Sequence, residues 1–232
     1  MSHKIKIGYC SGTGTIAPFQ SLGGLDTVCL NHSRNIEKEN IGLLILWGGE
    51  DISPSLYNQT ISESEADETP SKRDMFEWEM LRMAVARNIP IIGVCRGAQL
   101  VTAFAGGSLI QHVNGHNGHH QLRTTDGREF ISNSAHHQMM NPYNLPKGDY
   151  QVLAWTNPPK ATTYVGEFHK QVVLDNGELF SQYPEPEVVY YKKINALCIQ
   201  GHPEWMPATH DFVIYCVEQA KQLLLKEEPA LV

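Results

Sequence analysis

Cys95 is the residue best placed to do chemistry. It sits within Pro90–Gly107, PIIGVCRGAQLVTAFAGG. The apolar run Ile91–Val94 is too short for a helix and is bounded by Pro90, so it reads as a buried strand. The chain turns at Cys95-Arg96-Gly97, and a helix carrying Ala98, Leu100, Val101, Ala103, Phe104 and Ala105 runs to a stop at Gly106-Gly107. A strand passing through one residue into a helix is the nucleophile-elbow pattern. It exposes a thiol at the strand tip and aims the helix N-terminus at it, which favours thiolate and offers backbone N–H donors. Taken alone, the same position suits a small buried cysteine in a βα unit equally well.

A second stretch supplies what a thiol lacks. Ile194–Glu204, INALCIQGHPE, reads as a buried strand ending at Gly201, followed by His202 and Glu204. Two residues apart in extended chain, these side chains project to the same side. Pro203 biases His202 toward that geometry. A nucleophilic thiol needs a base, and the base needs a partner to fix its tautomer and support its charge. Cys95, His202 and Glu204 fill those roles if the two strand tips are neighbours.

The elements that would position them read as one three-layer α/β domain over residues 1–232, with a mixed, largely parallel sheet and its site at the strands' C-terminal ends. Lys4–Cys10, Thr27–Leu30 and the continuous apolar Ile41–Trp47 are strands, the last a central parallel one. Ile36–Asn40 holds at most a turn or two of helix. Ser11–Gly14, SGTG, lacks the rest of a phosphate-loop pattern and reads as a loop near the site mouth. Lys72–Asn88 is the clearest helix, capped by Ser71 or Thr69, with Met75, Trp78, Leu81 and Val85 inward. Arg73, Asp74 and Glu77 either line the cleft or form surface ion pairs, the second being favoured. The acidic stretch Ser53–Asp74 reads as a solvated loop. Ser108–Gln111, Tyr150–Thr156, Lys170–Leu174 and Val188–Tyr191 are further strands, with Asp175-Asn176-Gly177 a hairpin signal. Ala208–Lys226 closes the chain as an amphipathic helix with Phe212, Cys216, Val217, Ala220 and Leu224 inward.

Several function classes are disfavoured. A net charge of −7 and the absence of a basic cluster give no reason to expect nucleic-acid or anionic-membrane binding. No apolar run approaches 18 residues and no signal-peptide pattern opens the chain, so a cytoplasmic protein is expected. The five cysteines are scattered without a CxxC, so no disulfide framework or zinc ribbon is indicated. Cys29, Cys198 and Cys216 lie in apolar runs and are expected to pack as small hydrophobes. The histidines of HVNGHNGHH (His112, His116, His119, His120), with His136 and His137, raise a metal hypothesis. Their spacings match no helical or finger pattern, so a polar loop over the pocket is preferred and no metal or cofactor is expected.

GVCRGAQLVTAFAGGSLIQ, NSAHHQ and GHPE, with WGGEDISPSLY (Trp47–Tyr57) and KRDMFEWEML (Lys72–Leu81), resemble the class I glutamine amidotransferase-like superfamily. More narrowly they resemble its γ-glutamyl hydrolase branch, which includes γ-glutamyl-γ-aminobutyrate hydrolases. The resemblance runs from Leu43 to Trp205, five motifs in the family's order. It implies a flavodoxin-like sheet and a cysteine hydrolase that cleaves a γ-glutamyl amide through a thioester and releases glutamate. It places one oxyanion donor at Gly49; the N–H of Arg96, the residue after the nucleophile, would be the other. Gln99, Ser134 and His136 would hold the glutamyl moiety of a small-molecule substrate. The alternatives are a glutaminase subunit that hands ammonia to a separate synthetase, and a catalytically silent protein that binds γ-glutamyl ligands. Oligomeric state, a homo-oligomer included, stays open.

Overall fold

The computed structural model describes residues 5–10, 16–23, 26–32, 35–60, 63–166, 171–173, 179–181 and 184–226. The strands are Ile7–Cys10 (β1), Thr27–Leu30 (β2), Leu43–Leu46 (β3), Ile91–Val94 (β4), Ser108–Ile110 (β5), His112–Val113 (β6), Asn117–Thr124 (β7), Glu129–Ala135 (β8), Met139–Asn141 (β9), Tyr150–Thr156 (β10), Tyr164–Val165 (β11), Gln171–Val173 (β12), Leu179–Ser181 (β13), Pro186–Tyr191 (β14) and Ala196–Ile199 (β15). The helices are Gln20–Gly23 (α1), Asn35–Lys38 (α2), Lys72–Ala86 (α3), Arg96–Phe104 (α4) and Asp211–Gln219 (α5), the last continuing as a π-helical turn over Ala220–Leu224. Ser11–Gly14 and the Asp175–Gly177 turn lie outside the described residues.

Nine strands form the main sheet in the order β2-β1-β3-β4-β15-β14-β10-β7-β8. From β2 to β15 all neighbours are parallel, and from β15 to β8 all are antiparallel. The parallel half reads as unbroken apolar runs because both faces are covered. Leu44, Leu46, Ile91, Ala196 and Cys198 pack under α3 and α4. Leu43, Ile45, Ile92, Val94, Leu197 and Ile199 pack on the opposite face with Phe19, Phe212, Tyr215 and Cys216. The alternation of a strand thus divides one hydrophobic run between two cores, giving three layers. β5 is not part of this sheet; it pairs with β9.

Some expectations are corrected. On α3, Met75 is 56% exposed, whereas Asp74 and Glu77 are buried with Met80, Leu81, Met83 and Ala84. The face turned inward is set by what lies beneath it, an arginine, and not by the apolar stripe alone. Ser71 caps the helix through a capping box: its hydroxyl accepts the Asp74 N–H and Asp74 accepts the Ser71 N–H. Cys29 is exposed, because β2 is the sheet's edge strand. The HVNGHNGHH segment is no loop: it contributes β6 and the start of β7, and His116 and His120 are buried.

Candidate active site

β4 and β15 are parallel neighbours in register, Val94 opposite Ile199, and the Cys95 N–H extends the ladder to the Ile199 carbonyl at 2.8 Å. The two chemistry-bearing segments therefore leave the sheet side by side. Cys95 has φ 50° and ψ −110°, a conformation that costs a non-glycine residue of order 1–3 kcal/mol and is found mainly at functional sites. Gly93 and Gly97 make the turn feasible. A Cβ on Gly93 would meet the Gly97 carbonyl oxygen at 2.7 Å, and one on Gly97 would strike the Leu46 backbone of β3.

His202 lies three residues beyond β15, and its Nδ1 is 2.7 Å from Glu204 Oε1. The route to this contact differs from the expected strand alternation. Glu204 sits in a 3₁₀ turn over Pro203–Trp205, and the turn brings the carboxylate back to the ring. Asn133 of β8 clamps the His202 backbone from both sides, donating to its carbonyl at 2.8 Å and accepting its N–H at 2.9 Å. Trp205 stacks on the imidazole with ring centroids 3.6 Å apart and 3° between planes. The second nitrogen, Nε2, is buried without a hydrogen-bond partner among the described residues, and the Cys95 sulfur interacts with the ring. Burial alone would lower the His202 pKa; the Cys95 sulfur and the Glu204 carboxylate outweigh it and raise the value to about 9.

Under the elbow, the Arg96 side chain is buried in bidentate fashion between two carboxylates, Asp74 at 2.5 Å and Glu77. Glu77 also accepts from Arg73 Nε at 2.9 Å, and Arg73 Nη2 donates to the Trp47 and Gly48 carbonyls at 3.1 Å each. Asp74 and Glu77 are thus not surface ion pairs. They anchor the residue after Cys95, and through Arg73 they reach the Gly48-Gly49 turn. Gly49 has φ +155°, and a Cβ there would collide with the Arg73 guanidinium. The two strongly charged partners were missed because i,i+3 and i,i+4 charges on a helix usually face water.

A cavity of about 170 Å³ opens over Cys95, lined by Gly49, Gln99, His136 and Gln138 and rimmed by the acidic Glu50, Asp51 and Glu65. Gln99 donates to the Gln138 carbonyl at 3.0 Å. Ser134 is not on this wall: its hydroxyl donates to the His116 carbonyl at 2.6 Å. His136 is on it, but its ring is buried and its nitrogens point elsewhere, Nδ1 to the Gln138 carbonyl at 2.9 Å and Nε2 toward Glu187 at 3.8 Å. Gln138, the last residue of NSAHHQ, was not singled out by sequence reasoning. It lines the cavity, and its buried side-chain amide has no hydrogen-bond partner at either polar atom among the described residues.

Comparison with known proteins agrees with this architecture. The chain is 35% identical over 163 residues to the glutamine amidotransferase-like YvdE homolog of Lactococcus lactis subsp. cremoris, covering 69% of this chain and 80% of that one. It is 26% identical over 170 residues to the γ-glutamyl-γ-aminobutyrate hydrolase PuuD of Escherichia coli K12, covering 71% and 64%. Among solved structures, a glutamine amidotransferase from Thermotoga maritima superposes with a TM-score of 0.55 at 12% identity, over 97% of this chain and 85% of that one. The chain spans from 25% to 80% of the length of the curated relatives it matches. The Peptidase C26 family profile matches residues 33–204. A three-layer sheet with an elbow cysteine, and a family match across most of its length, make this chain a member of the Peptidase C26 family within the class I glutamine amidotransferase-like superfamily.

Proposed function

We propose that the chain hydrolyses a γ-glutamyl amide, glutamine or a γ-glutamyl amine, with Cys95 as nucleophile, His202 as acid and base, and Glu204 as its charge partner. The observation that carries this reading is the His202–Glu204 pair, 2.7 Å apart, standing at the strand tip next to the strained Cys95 turn.

The sulfur, its proton held by His202, attacks the γ-carbonyl carbon and the carbonyl π electrons move onto oxygen. The backbone N–H groups of Gly49 and Arg96 hold that oxyanion. Arg96 is the first residue of α4, where N–H groups have no intrahelical acceptor. The Gly48 carbonyl is tied to Arg73, and across a trans peptide this turns the Gly49 N–H the opposite way. His202 then protonates the departing amine, the C–N bond breaks and a thioester remains. Water attacks the thioester, giving its proton to His202, and glutamate leaves with the thiol restored. Gln99 and the free amide of Gln138 suit the α-carboxylate of the glutamyl group, and the acidic rim of Glu50, Asp51 and Glu65 suits its ammonium.

The test is Cys95→Ser, assayed on glutamine and a series of γ-glutamyl amides with glutamate and amine both quantified. At least a thousandfold loss is expected. Near-wild-type turnover would overturn the reading.

A further inference from the structure

Behind the cavity wall, three buried side chains that hydrolysis does not need converge from different strands. His116 enters β7, His136 follows β8 and Glu187 lies on β14; their ligating atoms all fall within 4.8 Å of one another. His116 Nδ1 is 3.4 Å and His136 Nε2 3.8 Å from Glu187 Oε1. A tetrahedral ion with ligand bonds of about 2.0–2.1 Å needs donor separations of about 3.3 Å. His116 Nδ1, His136 Nε2 and Glu187 Oε2 are buried and have no hydrogen-bond partner among the described residues.

Each ligand already has a further partner, and for Glu187 those partners sit on the same oxygen, Oε1. His136 Nδ1 faces the Gln138 carbonyl, which can only accept, so the proton is on Nδ1 and Nε2 presents its lone pair. His116 Nε2 lies 3.1 Å from Glu185 Oε2, an acceptor for its proton, so an ion at Nδ1 would displace the ring's second proton. Glu187 Oε1 faces His120 Nε2 at 2.9 Å and accepts from Thr156 Oγ1 at 3.1 Å. Glu185 accepts in addition from the Lys160 and Ala161 N–H groups and the Tyr164 hydroxyl. Ligand histidines whose other nitrogen is fixed by a carboxylate or a backbone carbonyl are the usual surroundings of a bound ion. Glu185 and Glu187 are buried here and carry charge that either a proton on His116 or a divalent cation offsets.

We propose that His116, His136 and Glu187 form a binding site for a divalent transition metal of the zinc class. Two imidazoles and one carboxylate suit zinc or cobalt rather than calcium or magnesium, which take all-oxygen shells. The metal would tie β7, the β8 end and β14 together and fix the ring of His136, a residue that lines the cavity over Cys95. The proposal does not depend on the reaction assigned above.

The test uses the full chain, stripped with EDTA and dialysed metal-free. Cobalt(II) titration followed by visible absorption, zinc competition and elemental analysis should give one equivalent in wild type and in Cys95→Ser. His116→Asn and Glu187→Gln should lose it. Because either variant could fold poorly, wild type carries an independent readout: zinc at a hundredfold excess over Kd should raise its Tm by about 5–10 °C. A folded wild type that takes up no metal and shows no Tm change would overturn the proposal, leaving a proton as the neutralising charge. So would metal lost in Cys95→Ser but kept in His116→Asn, which places the ion at the thiol.

Discussion

Replacing Glu204 by Gln keeps the shape of His202's partner and removes its charge. In the folded protein His202 is raised from 6.5 to about 9, with burial opposing the Cys95 sulfur and Glu204. That interval, about 2.5 pH units, corresponds to about 3.4 kcal/mol of preference for the imidazolium. Glu204, with a fully buried carboxylate at 2.7 Å, supplies a large share of it. Losing all of that preference would cost about 300-fold, so kcat/KM for a γ-glutamyl anilide should fall about 30- to 300-fold. The basic limb of its pH profile, where protonated His202 is lost, should move down from about 9, because the Cys95 sulfur alone then opposes burial. Stability changes with the opposite partner. A raised pKa contributes stability that is present below 6.5 and disappears as pH rises through about 9. Wild type should therefore lose more stability than Glu204→Gln between pH 6.5 and 9, measured by urea unfolding at each pH. Since His116 is also raised to about 9 by Glu185 and Glu187 against its own burial, only the difference between the two proteins reports on His202. A variant within threefold of wild type, with its basic limb still near 9, would refute the argument.

Other perturbations probe the frame around the site. Glu77→Gln and Asp74→Asn each leave Arg96 short of one buried charge partner; a loss of about 3–5 kcal/mol is expected, with Tm lower by about 6–20 °C in a thermal melt. Arg73→Met frees the Gly48 carbonyl and should lower kcat with little change in KM, because it disturbs the proposed oxyanion donor and not the proposed glutamyl contacts. Gln138→Ala should instead raise KM about 10- to 100-fold, the worth of one hydrogen bond to a charged group, in steady-state kinetics. Gly97→Ala places a methyl group against the Leu46 backbone and should lose more than the roughly 1–3 kcal/mol of ordinary overpacking, seen as a lowered urea midpoint.

Much of this protein was legible because its signals are local. The apolar run Ile91–Val94, the elbow at Cys95 and the helix after it are consecutive in the chain, and period-two alternation divides Leu43–Leu46 between two cores as a doubly covered strand must. His202 and Glu204 were legible as a pair, although the contact is made by a tight turn and not by extended chain. What the residues alone could not decide is which distant groups would meet. Asp74 and Glu77 carry the pattern of a solvated helix face, and only the packing of α3 over the elbow turns them onto Arg96. His116 sat among glycines and asparagines that suggested a loop, His136 in a segment that the family resemblance assigned to the glutamyl pocket, and Glu185 and Glu187 flank a proline that suggested a break. Antiparallel pairing of β7 with β8 and β10, and of β10 with β14, gathers these four side chains into one buried cluster. Hydrophobic period and turn chemistry are properties of neighbouring residues. Charge compensation in the interior depends on which strands become neighbours in space, so for this chain the sequence determined the elements and the elbow, and the sheet order decided the company its buried charges keep.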